Sequence, residues 1–301
     1  MTPVMKLRLR YVEFYITNVC NLACVGCNRF NNFKFSGHQK WDQNSEIYAQ
    51  WATELHIDTI SILGGEPLLH PEFMLWFSKI RSLWVYSLLA VVTNGYRLIK
   101  IAGLYEFLLA NKNNTRIHVG IHNKRFKQQI MENVTSLLKG PVEYKFDYSD
   151  KYQENMMLTD SNKVTLKVEH NWWFHQGSIR QEIEAGNFTL YQSDEKKAHD
   201  NCSMKLCHTF FDGKLYKCGV VAVLPEFAKQ HNIDQTAEDK ELMLSYVPLS
   251  ITDTYHTKKE FLANIGNSIP QCKFCPEVYI GDQIYAEEKK VIAIRNNAQS
   301  D

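Results

Sequence analysis

The stretch VEFYITNVCNLACVGC, residues 12–27, joins an apolar run to three closely spaced cysteines. The run predicts a β-strand, and Cys20, Cys24 and Cys27 follow directly after it. Three thiolates can hold only three corners of a cubane 4Fe–4S cluster, so one iron is left without a protein ligand. An open metal position is typical of a site for chemistry, whereas structural sites are closed by side chains. Zinc is the alternative metal, because C-x-x-C pairs are common zinc ligands.

A second motif, SILGGEP at residues 61–67, is an apolar run that ends in Gly64, Gly65, Glu66 and Pro67. The run predicts another strand, and glycines at a strand end let backbone come close to a ligand. By itself this ending is typical of a turn. Together the two motifs resemble the radical S-adenosylmethionine (SAM) superfamily, in which SAM binds the open iron of the cluster.

The resemblance implies a cofactor and a reaction. In that superfamily the amino and carboxylate groups of SAM chelate the open iron, and the G-G-E-P stretch contacts the amino group. The reduced cluster then cleaves SAM to methionine and a 5′-deoxyadenosyl radical, with electrons from a low-potential donor such as flavodoxin or ferredoxin. One departure is Gly26, which stands where relatives carry an aromatic residue near the adenine. Phe30 is the nearby candidate replacement.

Length, charge and hydropathy are those of an ordinary globular protein. The 301 residues suggest one large or two modest domains, and the net charge is +1 from 34 basic and 33 acidic residues. No long basic run is present, so no nucleic-acid partner is expected. The longest apolar stretches are far below the ~20 residues of a membrane span, and residues 1–10 do not read as a signal peptide. We therefore expect a cytoplasmic protein without membrane attachment.

Strand-like and helix-like segments alternate over residues 7–195, which predicts an α/β fold with a parallel sheet and right-handed crossovers. Six such units match the partial (β/α)6 barrel of the radical SAM superfamily. Residues 1–195 are therefore predicted to form the barrel, and residues 196–301 a small auxiliary domain with a C-terminal tail. The predicted strands cover residues 7–17, 58–63, 87–93, 116–122, 142–148 and 163–170. The predicted helices cover residues 46–56, 71–84, 99–111, 124–138, 152–158 and 178–185.

Polar residues follow the carboxyl ends of predicted strands, where ligands bind in such sheets. Asn94 ends the third strand within a Thr-Asn-Gly sequence, which puts it at the barrel mouth as a candidate functional residue. Asn-Gly is also a strong turn signal, and the two interpretations are compatible. In the fourth strand His118 and His122 alternate with aliphatic residues and are expected inside the barrel. An inward histidine is more often a satisfied interior residue than a ligand. His122 lies where relatives place a side chain on SAM, so it is a candidate cofactor contact.

After the sixth strand, residues 169–176 read EHNWWFHQ. Three consecutive aromatic residues between polar groups predict a pocket for a polar substrate at the barrel mouth. The alternative, that they close the barrel floor or a domain interface, has equal weight. The substrate-binding candidates are Glu169, His170, Trp172 and His175, and Asp147 and Ser149 belong to the same rim.

The other five cysteines lie in the C-terminal part of the chain: Cys202, Cys207, Cys218, Cys272 and Cys275. A hairpin signal, Asp-Gly at 212–213, separates Cys207 from Cys218 and brings the two arms together. The layout resembles the shortened SPASM, or Twitch, extension of radical SAM enzymes, which implies one auxiliary 4Fe–4S cluster. A zinc site built from the hairpin and the C-x-x-C pair is the alternative.

Five cysteines are one more than a cluster uses. Cys218, Cys272 and Cys275 are the firmer ligands, and either Cys202 or Cys207 is the fourth. Cys202 fits the family spacing better. The surplus thiol is either a buried small apolar residue or a hydrogen-atom donor to a substrate radical, as in radical SAM epimerases.

These features predict a radical SAM enzyme that oxidises or epimerises a polar small molecule, such as a sugar or an aminocyclitol. The auxiliary cluster accepts an electron in an oxidation, whereas a thiol donor gives epimerisation. One alternative is a maturase of a ribosomally made peptide, although Cys20 lies near the start and leaves little room for a leader-peptide domain. An alternative of another class is a non-catalytic iron–sulfur or zinc protein.

Overall fold

A computed structural model describes residues 6–24, 27–31, 33, 35–122, 124–147, 155–169, 179–184 and 187–277. At residues 124, 147 and 179–184 it describes the backbone alone. Five residues of the sequence analysis, Gly26, Ser149, His170, Trp172 and His175, lie outside these ranges, and the Asp147 side chain does too. Their predicted roles stay predictions.

Strands and helices alternate along the first half of the chain and are followed by a shorter mixed segment. The strands are β1 (Leu7–Tyr15), β2 (Leu55–Leu63), β3 (Leu88–Thr93), β4 (Thr115–Gly120), β5 (Val142–Asp147), β6 (Asn155–Asp160), β7 (Thr165–Glu169), β8 (Ile179–Glu184), β9 (Asn187–Leu190), β10 (His208–Phe211), β11 (Lys214–Tyr216) and β12 (Asn232–Ile233). The α-helices are α1 (Trp41–Glu54), α2 (Phe73–Leu83), α3 (Leu104–Ala110), α4 (Lys127–Leu137), α5 (Glu195–Asp200), α6 (Gly219–Gln230), α7 (Ala237–Leu244) and α8 (Tyr255–Asn264). Short 3₁₀ helices cover Pro67–Leu69, Leu98–Lys100, Lys124–Phe126 and Pro270–Phe274.

A parallel sheet forms the centre of the molecule. Its parallel strands lie in the order β10-β1-β2-β3-β4-β7. Antiparallel strands extend both ends, β11 beside β10 and then β6 and β5 beside β7. Alternate residues of β1, such as Val12 and Phe14, are 0% exposed and pack with the helices in one apolar core. This burial is the main term that stabilises the sheet. The predicted α/β class with a parallel sheet is confirmed, and the strands bring their carboxyl ends to one edge.

Two of the predicted helices are wrong. Residues 152–158 are predicted to be helical, but β6 occupies part of them, with Met156 and Leu158 buried at alternate positions. A period of two favours a strand, and the Asp160 carboxylate accepts the N–H groups of Asn162 and Val164 to turn the chain back into β7. The predicted helix at 178–185 is β8, which pairs antiparallel with β9. The Gly-Asn sequence at 186–187 is a turn signal that favours this hairpin.

The fifth predicted strand is placed differently from the prediction. β5 is antiparallel to β6 at the edge of the sheet, because the chain between Asp147 and Asn155 is shorter than the dozen or so residues that a crossover to a parallel strand needs. The sixth parallel strand is instead β10, which comes from the C-terminal part and pairs with β1 through Val12 and His208. The pairing of β10 with β1 joins segments from both sides of the predicted domain boundary at 195/196. The boundary itself stays a prediction.

The hairpin predicted at 212–213 is confirmed as the turn between β10 and β11. Asp212 and Gly213 both have positive φ, 48° and 72°, as a tight hairpin turn requires. Beyond it, α6 contributes Phe227 to a second apolar core that also contains Phe30 and Phe274. Among the helices of the described ranges, none combines the length and apolar character that a bilayer crossing needs.

Candidate active site

The cysteine triplet lies directly after β1, at the carboxyl edge of the sheet. Short hydrogen bonds shape its loop: Cys27 N–H donates to the Cys24 carbonyl at 3.2 Å, and Leu22 N–H donates to Cys20 Sγ at 3.4 Å. The Asn31 amide donates to the Asn18 carbonyl at 2.6 Å and closes the far side of the loop. All three cysteines are partly exposed, so the loop presents them at the surface of the edge.

The glycine motif packs directly on this cysteine loop. Gly65 N–H donates to the Thr17 carbonyl at 2.7 Å, and Glu66 N–H donates to the Val19 carbonyl at 2.8 Å. A Cβ on Gly65 would lie 2.3 Å from the Val19 carbonyl oxygen and 2.9 Å from Cys20 Cβ. From the sequence alone, these glycines are expected to let the backbone come close to a ligand. The structure adds a nearer reason, because the cysteine loop itself leaves no room for a side chain there.

The Glu66 side chain is engaged inside the protein. It is 1% exposed, and its carboxylate accepts hydrogen bonds from Leu68 N–H, Thr93 Oγ1 and Asn94 N–H at 3.0, 2.6 and 2.7 Å. Burial raises the pKa of Glu66 to about 7, against the lowering effect of these hydrogen bonds. Glu66 therefore fastens the end of β2 to the end of β3.

Asn94 completes the junction of three loops. Its amide donates to Asn21 Oδ1, within the cysteine loop, at 2.8 Å, and its own Oδ1 accepts Tyr96 N–H at 3.2 Å. Gly95 follows with a φ of 82°, so the predicted turn is confirmed. Asn94 is 4% exposed, and its observed contacts are internal, so a direct cofactor contact stays a prediction.

The three thiols suit a metal cluster. Burial holds the pKa of Cys24 well above its usual range, and the neighbouring Cys27 and Cys20 thiols act in the same direction. Thiolates so close together repel one another, and a positive metal centre removes that cost while deprotonating them. All eight cysteines lie in the described ranges, and none of them is in a disulfide. The residues present therefore fit a cluster held by three cysteines.

Polar side chains lie on the face of the sheet opposite the helices. His118 on β4 is level with Lys167 on β7, and Lys167 forms an ion pair with Glu169. Burial lowers the pKa of His118, which keeps the ring neutral, while Glu169 acts in the opposite direction. Its aliphatic neighbours on β4, Ile117 and Val119, are 0% exposed in the core, as predicted.

Two candidate residues border this face. His122 follows β4 and is partly exposed, and Glu169 ends β7 beside Gly120 in the strand register. Both lie at the carboxyl edge that carries the cysteine loop, as the sequence analysis expects for ligand contacts. Phe30, the candidate partner for an adenine ring, is 1% exposed and packs on Phe227 at 5.0 Å between ring centroids. Phe30 is therefore a core residue.

Four of the five C-terminal cysteines line one cavity, here called the four-cysteine cavity: Cys202, Cys218, Cys272 and Cys275. Cys202 follows α5, Cys218 precedes α6, and the C-x-x-C pair lies in and after the last 3₁₀ helix. Burial and the other three thiols hold the pKa of Cys275 well above its usual range, so the four sulfurs are mutual neighbours. The donor set fits a cluster closed by four thiolates.

Cys207 is not among the residues that line this cavity. Its thiol instead lies beside the Glu13 carboxylate and the Arg29 guanidinium on the β1 side. Burial, with a contribution from Glu13, raises the pKa of Cys207 to about 12. Cys207 is therefore the candidate for the surplus thiol, but the Cys202 thiol is also one of its neighbours, and the choice of the fourth ligand stays a prediction.

Three residues near the two cysteine regions were missed by the sequence analysis. Glu13 and Arg29 form a buried ion pair, and Arg29 also lines the four-cysteine cavity. The Tyr96 hydroxyl is buried without a hydrogen-bond partner in the described ranges, and after burial the Cys24 thiol contributes most to raising its pKa. None carries a local sequence signal, because each acquires its place through long-range packing.

In the described part of the chain, no three Cys, His, Asp or Glu side chains converge closely enough to hold a single metal ion. A cubane cluster spreads its thiolates over several irons, each of which takes one cysteine. The spacing required for a single ion is therefore not the spacing required for a cluster.

The sheet, the cysteine loop after its first strand and the glycine motif after its second define an α/β protein with an open iron–sulfur motif. Residues 14–124 match the family model of the Radical SAM superfamily. This region, which holds the cysteine triplet and the glycine motif, is similar to that superfamily. The Twitch-like extension stays a prediction.

Curated relatives carry one recurring name. A GTP 3′,8-cyclase of Photorhabdus laumondii is 32% identical over 100 residues, which are 33% of this chain and 30% of the relative. A probable GTP 3′,8-cyclase of Sulfolobus acidocaldarius is 27% identical over 244 residues, which are 76% of each chain. The chain thus spans under a third of the length of the first of these relatives.

Solved structures that align with the chain include BtrN in complex with AdoMet and 2-DOIA, at 14% identity, with a TM-score of 0.42 over 96% of this chain and 89% of that chain. Another is SuiB of Streptococcus suis bound to S-adenosylmethionine, at 17% identity, with a TM-score of 0.35 over 44% of this chain and 31% of that chain.

Proposed function

We propose that the protein is a radical SAM enzyme in which Cys20, Cys24 and Cys27 hold a 4Fe–4S cluster with one open iron. When bound and reduced, the cluster with SAM supplies a 5′-deoxyadenosyl radical that abstracts hydrogen from a C–H bond of the substrate. The observation that carries this proposal is the interlock between the cysteine loop and Gly65, since it places both motifs at one sheet edge.

The protein's own groups leave specific atoms for the cofactor. The N–H groups of Gly65 and Glu66 are used by the cysteine loop. The carbonyl oxygens of Gly64 and Gly65 accept no hydrogen bond from the described residues, so they are the acceptors available to the amino group of SAM. Glu66 and Asn94 act as positioning residues that brace this backbone. His122 is a candidate contact at the same edge.

The four-cysteine cavity is the proposed site of one auxiliary 4Fe–4S cluster. Its four thiols leave no iron open, so the cluster there transfers electrons and does not bind substrate directly. With Cys202 among the lining residues, Cys207 is the candidate hydrogen-atom donor. If the substrate radical keeps its electron, hydrogen-atom donation from Cys207 would give epimerisation. If the radical passes that electron to the auxiliary cluster, the substrate would be oxidised.

The substrate class proposed first is a polar small molecule, such as a sugar or an aminocyclitol. The support is the polar face of the sheet, where His118, Lys167 and Glu169 can form hydrogen bonds to hydroxyl or amino groups. Trp172 and His175 remain candidates for the same pocket. A reductant of the flavodoxin or ferredoxin type and a cytoplasmic location belong to the proposal.

A second candidate substrate is a purine nucleotide. It is favoured by the probable GTP 3′,8-cyclase of Sulfolobus acidocaldarius, which aligns over 76% of both chains. A nucleoside triphosphate requires cationic side chains to bind its phosphates, and Lys167 on the polar face is one candidate. The two substrate classes differ in charge and are separable by direct assay.

The test is anaerobic reconstitution with iron and sulfide, followed by SAM and dithionite. We expect about eight irons per chain and formation of 5′-deoxyadenosine. A panel of sugars, aminocyclitols and GTP should then identify the class that increases the yield. If SAM leaves the cluster spectra unchanged and no 5′-deoxyadenosine forms, the proposal is wrong and a non-catalytic metal protein is favoured.

A further inference from the structure

One buried arginine connects the two cysteine regions. Arg29 follows Cys27 by two residues, yet its side chain lines the four-cysteine cavity. It is 4% exposed, and a Cβ on Gly219 would lie 2.1 Å from Arg29 Cζ. Gly219 directly follows Cys218, so the guanidinium lies against the residue next to one cavity cysteine. The same side chain therefore belongs to both regions.

The counter-ion of Arg29 is Glu13, which is not among the residues that line the four-cysteine cavity. Glu13 on β1 is 2% exposed, pairs with Arg29, and accepts a hydrogen bond from Thr209 Oγ1 at 3.4 Å. This arrangement does not use the whole guanidinium. Arg29 Nε is buried and has no hydrogen-bond partner among the described residues. A buried donor left unmatched is destabilising, so this N–H is available to an acceptor held in the cavity that Arg29 lines.

We propose that Arg29 is the electrostatic partner of the group held in the four-cysteine cavity and raises its reduction potential. This inference rests on the proposed function, because it presupposes a cluster at these cysteines. A cluster with four thiolates is negatively charged, and an added electron increases that charge. A buried cation and an N–H donor toward sulfur stabilise the reduced form more than the oxidised form. Reduction here adds one electron to the cluster and breaks no bond.

The segment around Arg29 also connects the two cysteine regions through its packing. Asn28, its neighbour in the chain, lines the same cavity and hydrogen-bonds to Met204. The loop of the first cysteine triplet thus forms part of the wall of the second site. Lys217 is a further buried cation of the cavity, held by a 2.9 Å hydrogen bond from Nζ to the Ile265 carbonyl. It makes no hydrogen bond to the first loop among the described residues.

The test uses the full chain with C20A, C24A and C27A, which retains only the second cysteine group. In this background we compare Arg29→Lys, Arg29→Gln and the parent by iron content and by redox titration followed by electron paramagnetic resonance. We expect unchanged iron, a more negative midpoint potential for Arg29→Gln, and a potential near that of the parent for Arg29→Lys. An unchanged potential in a fully loaded Arg29→Gln protein would overturn the inference.

Two further variants keep the test decisive if Arg29→Gln does not fold. The double variant E13Q/R29Q leaves no lone buried charge, and it should also have a more negative potential. Gly219→Ala should displace the guanidinium and shift the potential the same way, whereas Gly266→Ala, whose nearest atom is 3.9 Å from the new Cβ, should not. If the parent itself binds no iron, the auxiliary cluster of the proposed function fails first, and that outcome is distinct from an unchanged potential.

Discussion

The two cysteine regions of this protein differ in how many thiols they bring together and in how completely the chain encloses those thiols. The first offers three thiols on one loop and borrows its shape from a glycine motif that packs on it. The second draws four thiols from separate segments of the C-terminal part and encloses them in one cavity. An incomplete ligand set leaves a position for a reactant, whereas a complete one favours a purely redox role. The proposed function follows this contrast, with chemistry at the first region and electron transfer at the second.

The largest expected effect separates the two regions by their ligands. Cys24→Ala should abolish 5′-deoxyadenosine formation, because the cluster then loses one of its three anchors. Cys275→Ala should remove the auxiliary iron but leave SAM cleavage measurable. Each loss should be about four irons per chain, measured by metal analysis after anaerobic reconstitution. If Cys275→Ala abolishes SAM cleavage at full occupancy of the first site, the division of roles is wrong.

The second prediction tests the packing that shapes the first region. Gly65→Ala introduces a Cβ 2.3 Å from the Val19 carbonyl oxygen, so the cysteine loop must move. We expect SAM cleavage to fall by at least about tenfold, which corresponds to about 1.4 kcal/mol. Gly266→Ala, whose new Cβ would have its nearest neighbour at 3.9 Å, is the matched control and should retain activity. Equal activity in the two variants would contradict the proposed interlock.

The third prediction concerns the surplus thiol. Cys207→Ala should retain all iron, because Cys207 does not line the four-cysteine cavity. Cys202→Ala should lose the auxiliary iron. If the reaction is an epimerisation, Cys207→Ala should still form 5′-deoxyadenosine but stall before product. Loss of auxiliary iron in Cys207→Ala would show that the fourth ligand is misassigned.

The smallest expected effect is a pH dependence of stability that arises from Glu66. Burial raises the pKa of Glu66 from 4.5 to about 7, so the folded protein binds this proton more tightly than the unfolded chain. Its contribution is complete below pH 4.5 and is lost as pH rises toward 7, with a slope of up to about 1.4 kcal/mol per pH unit.

Thermal unfolding midpoints measured between pH 5 and pH 8 check this slope. Glu66→Gln cannot titrate and should flatten the profile, although its amide N–H₂ also opposes one of the donors that now face the carboxylate. Glu106→Gln, at an exposed position of α3, is the control and should keep the wild-type profile. A Glu66→Gln profile parallel to wild type would refute the assigned pKa shift.

Local signals predicted the first region well. The spacing of Cys20, Cys24 and Cys27 and the glycine motif are both contiguous in sequence, and each follows an apolar strand. The parallel sheet followed from strand–helix alternation. The hairpin at 212–213 followed from its Asp-Gly turn. In each case the deciding residues are neighbours in the chain.

Long-range contacts explain what was missed. The sequence predicts a helix over 152–158, because the strand character of residues 155–160 comes from pairing with β7 and from the Asp160 turn, which are not local signals. The position of Cys207 depends on how β10 joins the sheet, and spacing alone left it interchangeable with Cys202. Arg29 stands in a polar loop sequence, and only its pairing with Glu13 reveals that it is buried.

The place of β10 in the sheet has a consequence for biosynthesis. Its Thr209 reaches Glu13 across 196 positions of the chain, so β1 keeps an unpaired edge until the ribosome has released the later segment. Exposed strand edges invite pairing with other chains, and such distant contacts form slowly. Nascent or truncated forms that end before β10 should therefore tend to self-associate, and iron loading should be most efficient once translation has passed this strand.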